Sequence, residues 1–82
     1  MRKQTQAFEN KTSRDIEVYV EAYPDRYVLK PNDELHITYD HEGDGAGLHT
    51  IIHEDGGLQI YLEEFDSAVV TINGKIAKLW TN

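Results

Sequence analysis

The sequence predicts an all-β fold, a small antiparallel β-sandwich or barrel of seven or eight short strands with essentially no helix. Three observations carry this reading. Apolar and polar residues alternate with a period of two in each clearly patterned segment. β-Branched and aromatic residues are frequent in those segments, as a pleated, half-buried surface favours. Turn-forming residues separate them at short intervals, and no stretch combines a helical apolar period with a cap. The C-terminal half reads as a meander.

After a few loose residues (1–4), the first strand is placed at 4–10. In the second, 15–22, Ile16, Val18, Val20 and Ala22 alternate with Glu17, Tyr19, Glu21 and Tyr23. One set faces a core and the other faces water. Tyr23-Pro24-Asp25 turns the chain into 26–30, and Lys30-Pro31-Asn32-Asp33 turns it again, because proline presets the backbone of a turn. In 34–40, Leu35, Ile37 and Tyr39 alternate with His36, Thr38 and Asp40. The glycine turn Asp44-Gly45-Ala46-Gly47 leads into 47–54, and Asp55-Gly56-Gly57 predicts a hairpin to 57–63. There Leu58, Ile60 and Leu62 alternate with Gln59, Tyr61 and Glu63. Strands 67–73 and 75–80 flank Asn73-Gly74, a dipeptide suited to a type I′ turn because both residues tolerate positive φ. Trp80 is expected to pack in the core and pin the last strand.

With 82 residues, a single domain over 1–82 is expected, near the lower size limit for independent folding. A chain of this size buries only a little over about 60% of its unfolded surface, so its core is thin. Cysteine is absent, which removes disulfides, thiolate chemistry and Cys-based zinc sites. Arg2 and Lys3 are not followed by the apolar run of a secretory signal, and no apolar segment is long enough for a membrane-spanning helix. A soluble, cytoplasmic protein is expected.

Between Lys30 and Lys75 there is no lysine or arginine, yet this stretch holds ten of the fifteen acidic residues and all four histidines. With a net charge of -7, direct binding of nucleic acid is disfavoured, since cationic side chains must neutralise phosphates. Cations and basic proteins are the favoured partners.

Asp40-His41-Glu42-Gly43-Asp44-Gly45 nearly matches the start of a calcium loop, with Asp40, Glu42 and Asp44 as candidate ligands for a divalent metal. Ile51 stands where that loop needs a bidentate glutamate, so a solvated acidic turn is the competing reading. His49 and His53 fall on one side of a strand about 13 Å apart, too far to share one ion. Pairing of one of them with His36 from a neighbouring strand remains open. Gly43 and His49 keep the glycine-to-histidine spacing of a cupin metal motif, but Ile51 replaces the second histidine and no later Pro-Gly-His follows. A jelly-roll or cupin-like arrangement stays open without that motif. Ser13 and Ser67 lack a nucleophile elbow, and no catalytic residue is assigned.

These residues favour a non-catalytic binding module that engages a basic protein through an acidic surface bearing histidine and tyrosine, as inhibitors, immunity proteins or nucleic-acid mimics do. Tyr19, Tyr61, Glu63, Asp40, His36, His49 and His53 are the candidate binding residues. Of these, His36, His49, His53 and Tyr61 are expected to converge on one side. Two alternatives stand beside it. One is a small metal-binding β-barrel or minimal metal-dependent enzyme with His and carboxylate ligands. The other is a structural domain whose strand edges pair in a homodimer.

Overall fold

Among the described residues eight strands form, and no boundary departs from the sequence-based one by more than two residues. A computed structural model describes residues 2–21, 24–41, 47–63 and 65–81, without the side chains of Arg2, Pro24, Asp66, Trp80 and Thr81. The strands are β1 (Arg2–Glu9), β2 (Ile16–Glu21), β3 (Pro24–Leu29), β4 (Glu34–His41), β5 (Leu48–Ile52), β6 (Leu58–Leu62), β7 (Phe65–Ile72) and β8 (Lys75–Thr81). No helix occurs among the described residues, so none is long and apolar enough to cross a membrane.

The strands make two four-stranded sheets, ordered β1-β4-β7-β8 and β3-β2-β6-β5. Each sheet has two edge strands, so the architecture is a sandwich and not a closed barrel. The molecule measures 38 × 26 × 19 Å. Its shortest dimension fits two layers about 10 Å apart with side chains on their outer faces. Val18, Val20, Leu29, Ile60 and Leu62 of one sheet are buried with Leu35, Ile37, Tyr39, Ala68 and Val70 of the other. These are the alternate positions that a period of two assigns to one face.

Two expectations are corrected. The C-terminal half is not a meander, because β6 and β7 belong to different sheets. Three extended Cα steps, Leu62 to Phe65, cover about 10 Å, which is the spacing between packed sheets. A connection that short can therefore cross between layers as readily as it can turn a hairpin. Nor is pairing wholly antiparallel: β2 and β6 run parallel, with Val18 beside Leu58 and Glu21 beside Tyr61. That pair also departs from the antiparallel jelly roll to which cupins belong. Trp80 lies opposite the buried Ala68 in the β7–β8 register; its side chain is outside the described set.

Two predicted turns follow their chemistry, while Tyr23-Pro24-Asp25 and Asp44-Gly45-Ala46-Gly47 lie partly outside the described residues. Asn73 and Gly74 have φ of 52° and 83°, the two positive values of a type I′ turn. At Lys30–Asp33 the Asp33 amide donates to the Lys30 carbonyl at 2.9 Å, with Pro31 second and Asn32 at φ 71°. This is the residue order a type II turn requires. Gly47 has φ 68°, and a Cβ there would lie 2.4 Å from His41 Nδ1. Both backbone and contact thus demand glycine at the entry to β5. His41, the last residue of β4, is buried at 3% exposure, and its Nδ1 lies 3.1 Å from the Glu63 carbonyl oxygen.

Candidate functional site

The outer face of the β3-β2-β6-β5 sheet is built by the positions that alternate with its core residues. On β2 these are Glu17, Tyr19 and Glu21, and on β3 Arg26 and Val28. On β6 they are Gln59 and Tyr61, and on β5 His49 and Ile51, with His53 just beyond the strand. The parallel β2–β6 register sets Tyr19 beside Gln59 and Glu21 beside Tyr61. The antiparallel β5–β6 register sets His49 beside Tyr61.

Polar contacts cross this face from strand to strand. His53 Nε2 lies 2.9 Å from Gln59 Oε1, and Gln59 Nε2 donates to Glu21 Oε1 at 3.1 Å. Because the amide nitrogen is spent on the carboxylate, the amide oxygen accepts and His53 Nε2 is the donor. A chain of two hydrogen bonds therefore ties β5, β6 and β2 at their surface. On the β3 side, Arg26 Nη2 donates to Glu17 Oε1, and the Tyr19 hydroxyl donates to Glu17 Oε2 at 3.2 Å. The Arg26 hydrogen bond and charge hold the Glu17 carboxyl below its ordinary value, while Glu17 in turn raises Arg26. His49 meets Tyr61 edge-on, with ring centroids 6.4 Å apart and planes at 67°. Such a contact suits the positive edge of one ring and the negative face of the other.

The candidate residues divide between the two sheets. Tyr19, Tyr61, His49 and His53 share this outer face, and Glu63 lies exposed at its rim, its amide donating to the Gly47 carbonyl at 2.8 Å. His36 and Asp40 are on β4, in the other sheet, where they face away from the core. The expected convergence of His36 with His49, His53 and Tyr61 is thus corrected, and so is its pairing with either histidine. His36 Nε2 instead lies 2.8 Å from Glu34 Oε1 on its own strand, and Asp40 Oδ2 accepts from Ser67 Oγ at 3.0 Å. Of the candidate metal ligands, Glu42 and Asp44 lie outside the described residues. Among the described residues no group of three His, Asp or Glu side chains is placed to hold a metal ion.

Glu17, Glu21, Gln59 and Arg26 complete the face and were not singled out as binding residues from the sequence. Their signal was parity: Glu17 and Glu21 flank Tyr19 at two-residue steps, and Gln59 precedes Tyr61 by the same step. What local pattern did not supply was the adjacency of β2 and β6, two strands forty residues apart in their register (Val18 with Leu58).

No family model matches the chain, and neither the curated proteins nor the solved structures contain a match to it.

Proposed function

We propose that the protein is a non-catalytic binding module whose β3-β2-β6-β5 outer face engages a basic protein. The observation that carries this reading is the gathering of Tyr19, Tyr61, His49 and His53 with Glu17 and Glu21 on one open sheet surface. Tyrosine supplies contact area at small entropic cost, and histidine adds a second amphipathic ring. Carboxylates around such anchors raise association rate and select cationic partners. A sheet face also presents these groups without rearrangement, which limits the ordering cost of binding.

The test is capture from cell extract by wild-type protein and two surface variants, washed across a salt gradient. A Tyr61→Ala/Glu21→Lys variant of this face should lose a captured basic protein that a Thr38→Lys variant of the opposite sheet retains. Retention by wild type should fall as salt rises. Capture that ignores salt, or that survives the first variant, would overturn the assignment.

A further inference from the structure

The outer face of the β3-β2-β6-β5 sheet twice sets a glutamate near a tyrosine, and the chain supplies an arginine to the first glutamate but not to the second. At the first, Glu17 takes Arg26 on Oε1 and the Tyr19 hydroxyl on Oε2. Arg26 comes from β3, where it stands opposite Tyr19. Two residues further along β2, Glu21 lies beside a second tyrosine, Tyr61, its register partner on β6. The residue opposite Glu21 on β3 is Pro24, which has no cation to offer. Among the described residues, the hydrogen bond that reaches Glu21 is the one from Gln59 to Oε1, and Oε2 has no donor.

We propose that Glu21 and Tyr61 receive an arginine side chain of the basic partner. The guanidinium would bond Glu21 Oε2 as Arg26 bonds Glu17, with its plane against the Tyr61 ring. This rests on the reading of the same face as the site for a basic protein, and it names the anchor. Arginine is favoured over lysine by form. A planar guanidinium stacks on an aromatic ring while its fork of donors reaches a carboxylate, whereas an ammonium is a compact, strongly hydrated point charge. The receiving groups are also preset. Gln59, itself held by His53, fixes the Glu21 carboxylate, and His49 packs edge-on to Tyr61. Glu21 and Tyr61 are each half-buried, so their attraction to a cation is less screened than at a fully exposed site.

The experiment titrates the isotope-labelled full chain with a glycine–arginine repeat peptide and with the glycine–lysine peptide of equal length, followed by two-dimensional NMR. The arginine peptide should shift the amides of Tyr19, Glu21, Gln59 and Tyr61, and bind about threefold more tightly than the lysine peptide. Glu21→Gln should erase that preference, and Glu34→Gln on the opposite sheet should preserve it. Arg26→Ala vacates Glu17, so the arginine peptide should then shift the Glu17 amide too. Absence of that new shift would remove the template and overturn the proposal. Equal affinity of both peptides for the same amides would overturn the arginine anchor while leaving the acidic binding face intact. No shift on this face with either peptide would overturn both.

Discussion

Asn10 shows how a single polar side chain can organise three segments. It is 2% exposed, and its Nδ2 donates to the carbonyls of Arg14 and Leu29, both at 2.8 Å. Its Oδ1 accepts from the Thr12 amide and hydroxyl at 2.9 and 2.7 Å, and its own backbone bonds Asn32 and Asp33. Replacing it leaves several sheltered groups without partners. Asn10→Ala is therefore expected to lower stability by about 3 kcal/mol in urea unfolding. Asn10→Asp should be no milder, since an oxygen would then face the two carbonyls. In the sequence this residue looks like any loop asparagine, because satisfaction by distant carbonyls leaves no local signature. Tyr27 makes a second residue-scale case. Its hydroxyl and Asp25 Oδ2 are sheltered from solvent. Burial, and then the Asp25 charge, push its phenol from 10.0 up to about 12. Above its ordinary value the unfolded chain gives up this proton while the fold still holds it, so stability falls as pH rises from about 10 to about 12. Tyr27→Phe should flatten that alkaline slope, as urea midpoints measured at about pH 9 and about pH 11 would show. An unchanged slope would discount the Tyr27 contribution.

At the scale of elements, β8 is an edge strand that carries its own protection. Lys78 pairs in register with the buried Val70 and so points toward the opposite sheet, where its Nζ lies 3.6 Å from Asp25 Oδ2 on β3. The register also slips between Val70 and Thr71, leaving Ala77 as an extra residue. An inward charge and a bulge are two devices that discourage edge-to-edge pairing. They matter here because Ile76 and Leu79 on the same strand are 70% and 57% exposed. Lys78→Val should increase self-association, seen by light scattering as mass that grows with concentration; a variant that disperses like wild type would assign this lysine no such role. The preceding hairpin has a tertiary tie as well. Asn73 Oδ1 accepts from the Glu34 amide at 3.0 Å and its Nδ2 donates to Asp33 Oδ1 at 2.8 Å. Asn73→Ala loses both bonds and strains the positive φ, while Asn73→Gly loses the bonds alone. The alanine variant should therefore be the less stable by about 1 kcal/mol. The turn itself was legible in Asn73-Gly74, but its anchoring to the start of β4 was not, since that partner lies across the sheet.

For the whole molecule, the long separation between paired strands has a kinetic consequence. β1 pairs with β4 and β2 with β6, so much chain entropy is lost before those contacts form. Folding is expected on the millisecond-to-second scale typical of β-sandwiches, and stopped-flow refolding that finished in microseconds would contradict this. The same topology redistributes charge. The stretch from Lys30 to Lys75 that lacks lysine and arginine does not make one acidic surface, because β4 and β7 lie in one sheet and β5 and β6 in the other. Lys3 of β1 falls opposite Asp40, and Lys78 of β8 approaches Asp25. By itself the sequence determined the all-β class, the approximate strand segments, the Pro31-Asn32 and Asn73-Gly74 turns, and the inner or outer parity of the residues in β2, β4 and β6. These follow from the period-two pleat and from residue-specific φ preferences, which act within a few neighbours. Tertiary structure alone decided which sheet each strand joins, and hence that Tyr19 meets Gln59 while His36 is carried to the other layer. Parity tells a side chain whether to face the core; it contains no information about which distant strand lies alongside.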